Sequence, residues 1–171
     1  DTAAQTLQTI GTENAIAELE KALPDASGAR RVTLVKALGT LRCKSALAEI
    51  LKHTSSADTR LRRTALWAVA NIGPVKGKQQ AVKQALSRAA ETRDTYEKAK
   101  ATSFYLLYAK RMAEAGKTAE CAKMCRELIE TRDEVNVHSA ALGTLLDAVG
   151  KDALPDLEKA VKSDSDQLRA A

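Results

Sequence analysis

The stretch Asp58-Thr-Arg-Leu61-Arg62-Arg63-Thr-Ala65-Leu-Trp67-Ala68-Val69-Ala-Asn-Ile72-Gly73 decides the fold. Leu61, Ala65, Ala68, Val69 and Ile72 recur with the period of an α-helix, so they share one face. Asp58 supplies an N-cap side chain, and Gly73 followed by Pro74 marks the stop. A step back of 31 residues carries Ile72-Gly73 onto Leu41-Arg42 and Arg62 onto Arg31. A second such step reaches Ile10-Gly11. A second helix keeps the same phase: Ala15-Ile16-Ala-Glu18-Leu19 returns 31 residues on as Ala46-Leu47-Ala-Glu49-Ile50. The run from Ala15 to Leu23 also aligns with Ala153 to Val161, both reading Ala-apolar-x-acidic-Leu-Glu-Lys-Ala-apolar. One helical hairpin cannot bury its apolar face alone, so hairpins repeating in phase are expected to stack.

Composition points the same way. Alanine makes up close to a fifth of the 171 residues and leucine about an eighth, against nine Val and five Ile. Alanine loses no side-chain entropy in a helix, and Leu, Lys, Glu and Gln lose little. This mix excludes a β-sandwich or barrel. No run of 18 apolar residues is present, so no helix is expected to insert in a membrane. No basic stretch leads into an apolar one, so no secretory leader is expected.

These residues resemble the HEAT-repeat family in its short form. The first helix of a HEAT repeat carries an Arg about ten residues before a terminal apolar-Gly pair, and Arg31 and Arg62 occupy that place. The resemblance implies that both residues tie adjacent repeats together. It implies an all-α, right-handed α-solenoid of about five antiparallel helical hairpins in a single array. The units fall near residues 1–25, 26–56, 57–90, 91–133 and 134–162, with residues 163–171 opening a further one. The third unit has a second helix from Val75 to about Ala90. The fourth is irregular, with helices from about Thr95 to Ala115 and Thr118 to Glu130, and Tyr108 to Glu120 looks like a tetratricopeptide hairpin turning at Gly116. The fifth places His138 where the Arg would stand. Neither end shows a polar cap, so the chain reads as cut at both ends from a longer protein.

No catalytic, metal or cofactor site is expected. The sequence has no Gly-rich phosphate loop and no HExxH, GxSxG or CxxC motif. Cys121 and Cys125 share a helix face but lack two further ligands, and with Cys43 they read as small core fillers. His53 and His138 stand on different units, and neither is followed by the Glu of iron-binding HEAT-like enzymes. His53 lies at a helix end, where a cation suits the dipole. Of the aromatics, Trp67 sits in the third unit. Tyr96, Phe104, Tyr105 and Tyr108 crowd one helix of the fourth. They read as core filling, with an alternative in which Phe104, Tyr105 and Tyr108 form an anchor patch in a groove.

The charge of +5 is unevenly spread: residues 1–27 sum to −4, 28–88 to +11 and 89–171 to −2. The basic middle reads as a solvated face or as a partner or anion surface, with Lys44, Lys52, Arg60, Arg63, Lys76, Lys78 and Lys83 as candidates. In HEAT arrays the second helices, here bearing Lys44 and Lys52, line the concave surface. HEAT-like glycosylases bind DNA there with a catalytic acid and stacking aromatics, which this basic block lacks apart from Trp67. The expected function is therefore a non-catalytic scaffold, a protein–protein interaction segment of a larger bacterial multidomain protein. It would bind a partner or a sister domain through its curved surface, with nucleic-acid or polyanion binding as the alternative. The resemblance also implies a link to extracytoplasmic enzyme or cytochrome domains, while the sequence itself leaves the compartment unknown.

Overall fold

The computed structural model describes residues 13–162. The first helix expected over residues 1–11 and the further unit expected at 163–171 lie outside the described residues. All regular structure among the described residues is helical. The chain divides into two compact units, with the boundary between Tyr108 and Ala109.

The first unit contains α1 (Glu13–Ala22), α2 (Gly28–Thr40), α3 (Leu47–Leu51), α4 (Thr59–Ile72), α5 (Gln79–Ala89) and the start of α6 (Thr95–Glu114). The helix that decides the fold begins as expected. Asp58 accepts hydrogen bonds from the backbone N–H groups of Arg60 at 2.8 Å and Leu61 at 3.2 Å, which satisfies two of the four orphan donors. It ends at Gly73, whose φ of 82° no other residue adopts readily. The predicted stripe is buried, but so are Leu66 and Ala70 on either side of it. The reason is that α4 packs against α2, α3 and α5 at once, so more than one face is covered.

The tightest packing lies between α2 and α4. A Cβ placed on Gly39 would stand 2.6 Å from the Ala68 Cβ and 2.9 Å from its Cα. Asn71 on α4 donates to the Gly39 carbonyl at 3.0 Å, so the helices are also joined by a polar contact.

One expectation about a helix end needs correction. The second helix of the third unit starts at Gln79 rather than Val75. Gly77, with φ of 76°, closes a turn in which the Lys78 N–H donates to the Val75 carbonyl at 3.0 Å, and a residue in that conformation cannot continue a helix. The long helix expected from about Thr95 to Ala115 runs from Thr95 to Glu114. Here Gly116 donates to Ala113 and Lys117 to Met112, both at 2.9 Å, a Schellman closure around a left-handed glycine. The same closure ends α2, where Arg42 donates to Gly39 at 3.1 Å and Cys43 to Leu38 at 3.0 Å. Arg42, one repeat before Gly73, therefore takes the left-handed conformation at φ of 51°.

The second unit contains the end of α6, then α7 (Thr118–Thr131), α8 (Val135–Val149), a 3-10 turn (Gly150–Ala153) and α9 (Leu154–Val161). Its core is drawn from Cys121, Cys125 and Leu128 on α7 and Ala141 and Leu145 on α8. The Arg126 guanidinium grips the Asp156 carboxylate at 2.9–3.2 Å, which ties α7 to α9.

Two substitutions three residues apart should act in opposite directions. Gly39→Ala forces Cβ against the backbone of α4 and should cost about 1–3 kcal/mol in urea denaturation. Arg42→Gly removes a left-handed residue with a Cβ and should stabilise by about 0.5–1 kcal/mol after the loss to unfolded-state entropy. A stable Gly39→Ala variant would show that the two helices do not meet this closely.

Candidate functional site

A cavity of about 730 Å³ opens in the first unit among the end of α3, α4, α5 and the start of α6. Its floor is apolar, made by Leu51, Leu66, Ala101 and Phe104. Along α5 the wall is Ala81, Ala85 and Ala89, spaced by four so that they lie on one face. Val82 and Leu86 on the same helix turn into the core and leave that small-residue face outward. The charged lining comprises Arg62, Arg63, Arg88 and Lys100 against Glu91 and Glu97.

Two of the three arginines of α4, Arg62 and Arg63, are committed to structure. Arg62 donates to the Ser56 carbonyl at 2.7 Å, six residues earlier, and to the Thr59 hydroxyl at 3.2 Å. His138 reaches the Arg132 carbonyl, also six residues earlier, so the residue standing in for the repeat arginine makes the equivalent contact. Arg31 differs: its Nε is buried without a hydrogen-bond partner. Arg63 donates through Nε to the Glu97 carboxylate at 2.7 Å and forms an ion pair with it. The Arg63 hydrogen bond holds the Glu97 carboxyl below the usual carboxylate range. Asp94 fixes the position of Glu97 by accepting from its backbone N–H at 2.9 Å, so the first turn of α6 presents that carboxylate to α4. The Tyr96 ring lies beside the pair, with the Arg63 guanidinium carbon 4.8 Å and the Lys100 ammonium 5.5 Å from its centroid.

Of the basic residues chosen from sequence as a partner surface, only Arg63 lines this groove. Lys44, Arg60, Lys76 and Lys78 are exposed elsewhere, Lys83 is half-buried, and Lys52 is exposed but paired with Glu49. The aromatic patch needs correction. Tyr105 and Tyr108 are 4% and 0% exposed, so they are core residues, and burial pushes the Tyr108 hydroxyl up to about 12. Only Phe104 reaches the groove, and the exposed aromatic is Tyr96. Arg88 and Lys100 were not singled out from sequence. Lys100 follows Glu97 and precedes Phe104 at helical spacing, a signal that could have placed it on this face.

The cysteines are buried. Cys125 donates to Cys121, and that bond together with burial pushes its thiol up. Among the described residues no three His, Cys, Asp or Glu side chains stand together as a metal site. No helix there is long and apolar enough to cross a membrane.

The HEAT-repeat family model matches residues 18–104, about half of the chain, a span that contains the whole groove. The chain belongs to the HEAT-repeat family. No curated protein matches it. HEAT repeats generally serve as non-enzymatic scaffolds for protein–protein interaction.

His53 departs from its expected role as a helix-end cation. Burial, and then the Arg31 guanidinium, hold its imidazole below the ordinary histidine range. A depressed value makes the unfolded chain the better proton binder. His53 therefore favours the folded state at neutral pH, and this contribution falls away as pH drops from about 6.5 toward the folded value. Chemical denaturation between pH 7.5 and 5 should show a shallower loss of stability for His53→Gln than for the parent. Identical slopes would exclude the effect.

Proposed function

We propose that this chain is a non-catalytic protein-interaction array, a segment of a larger bacterial multidomain protein, and that the groove among α3, α4, α5 and α6 is its docking site. The stretches assigned from sequence to the units near 26–56, 57–90 and 91–133 all contribute residues to its lining. The observation that carries the reading is the combination of an apolar floor, Leu51, Leu66 and Phe104, with a rim of cations in a cavity of about 730 Å³. That volume lies within the usual range of ligand pockets. The side chains around it suit binding better than acid–base chemistry: its two carboxylates are Glu91 and Glu97, and Glu97 is held by Arg63.

A second reading, polyanion binding, draws on the exposed Lys44, Arg60, Lys76 and Lys78, which lie outside the groove. It calls for affinity that falls steeply with salt and is indifferent to the groove floor.

Selection of a random peptide library displayed on phage against the 171-residue chain tests the docking site. Selected peptides should shift the amide resonances of Ala85, Arg88, Ala101 and Phe104. They should lose binding to Ala85→Trp, which fills the groove. Peptides that shift only other residues, or no enrichment at all, would overturn the proposal.

A further inference from the structure

We infer that the groove takes an acidic amphipathic helix of a partner protein, an inference that rests on the docking reading above. Three features of the lining specify this occupant.

The first is charge. Arg63 is neutralised by Glu97, and Arg62 is turned onto backbone carbonyls. Arg88 and Lys100, both exposed, make no ion pair among the described residues. Against them stands only Glu91, so the rim carries an excess of positive charge. Residues 28–88, which supply Arg62, Arg63 and Arg88 to the lining, sum to +11. Such a rim attracts carboxylates and repels a basic segment.

The second is the floor. Leu51, Leu66 and Phe104 offer apolar surface that a purely polar ligand would leave unused. A phosphodiester chain would engage the rim alone, and its bases would find one aromatic, Phe104, in place of a stacking platform. A peptide with aliphatic side chains fills the floor while its carboxylates meet the rim.

The third is backbone accounting. An extended peptide gains affinity by adding to a sheet edge, and the groove is built from helices and their connecting turns. An extended occupant would set unpaired N–H and C=O groups against alanines. A helix satisfies its own backbone. The alanines at 81, 85 and 89 keep one wall low, which permits close approach of another helix along α5. The occupant therefore presents aliphatic anchors at i, i+3 or i+4 and i+7 to the floor, with Asp or Glu flanking them toward Arg88 and Lys100.

The groove-binding peptides from the phage selection provide the probe. Their sequences should be enriched in Asp and Glu at helical spacing from Leu, Ile or Phe, and circular dichroism should show helix gained on binding. In stopped-flow fluorescence, the double variant Arg88→Glu/Lys100→Glu should lower the association rate about tenfold at low salt, with little change in dissociation, because rim charges act on encounter. Ala85→Leu should instead speed dissociation, because it raises the low α5 wall against the docked helix. A peptide with each acidic residue changed to Lys should regain binding to the charge-reversed double variant. Groove-bound peptides that are neutral or basic, or association rates indifferent to the double variant, would overturn the acidic class and leave the docking site standing. Groove-bound peptides that stay extended would overturn the helical form. Peptides that bind elsewhere would remove both.

Discussion

The contact on which the first unit depends is the approach of α2 to α4 at Gly39 and Ala68. At that point nothing larger than a hydrogen fits, since a Cβ would lie 2.6 Å from its neighbour. Close approach increases the dispersion contacts of the flanking side chains, and it accounts for the small residues, Gly39 and Ala68, that meet at the seam. It also brings Asn71 within 3.0 Å of the Gly39 carbonyl, so the polar group at the seam is satisfied. With α2 against one side of α4, the helices α3 and α5 cover its other faces. Helix α5 needs only Val82 and Leu86 for that contact. Its alanine face is left over, and that face becomes a wall of the groove.

Charge in the basic middle of the chain is divided between structure and surface. Arg62 closes the connection before α4, as His138 closes the one before α8. A guanidinium and an imidazole thus meet the same need, a donor for a carbonyl six residues earlier. Arg63 is held by Glu97 across 34 residues of sequence, and the pair joins α4 to the first turn of α6 beside Phe104 and Lys100. Glu97 is available for this because Asp94 caps the helix, with its own N–H engaged by Thr92. In a capping box the glutamate would turn back to that N–H.

Local signals were readable in the sequence and relational ones were not. The Asp58 cap, the Gly73 stop and the 31-residue phase all follow from spacing, and the family match over residues 18–104 agrees with them. The restart of α5 at Gln79 was missed because Gly77 looks harmless in composition, yet its positive φ forbids continuation. Tyr105 and Tyr108 fill the core as expected, and the alternative of an anchor patch with Phe104 fails for a different reason. Phe104 and Tyr108 are helical neighbours four apart, but one lines a groove and the other is fully buried. Spacing fixes which residues share a face, and only the packed neighbours decide how far burial extends around it. The groove itself draws on residues from 51 to 104, and its charge depends on which arginine finds a carboxylate. No window of sequence contains that information.

The separation of an apolar floor from a charged rim bears on the selectivity that the proposed docking site would have. Apolar contact with Leu66 and Phe104 discriminates weakly among aliphatic side chains, because a methylene more or less changes little. Exposed charges such as Arg88 and Lys100 add little to equilibrium affinity in high dielectric, but they penalise a like-charged ligand during approach. Neither feature alone makes a selective site. Together, on the docking reading proposed above, they would admit ligands that are both apolar and acidic, and they would turn away a basic helix before the floor is reached. In this arrangement the structural pairing of Arg63 with Glu97 decides which cation of the rim is left without a carboxylate, Lys100 rather than Arg63.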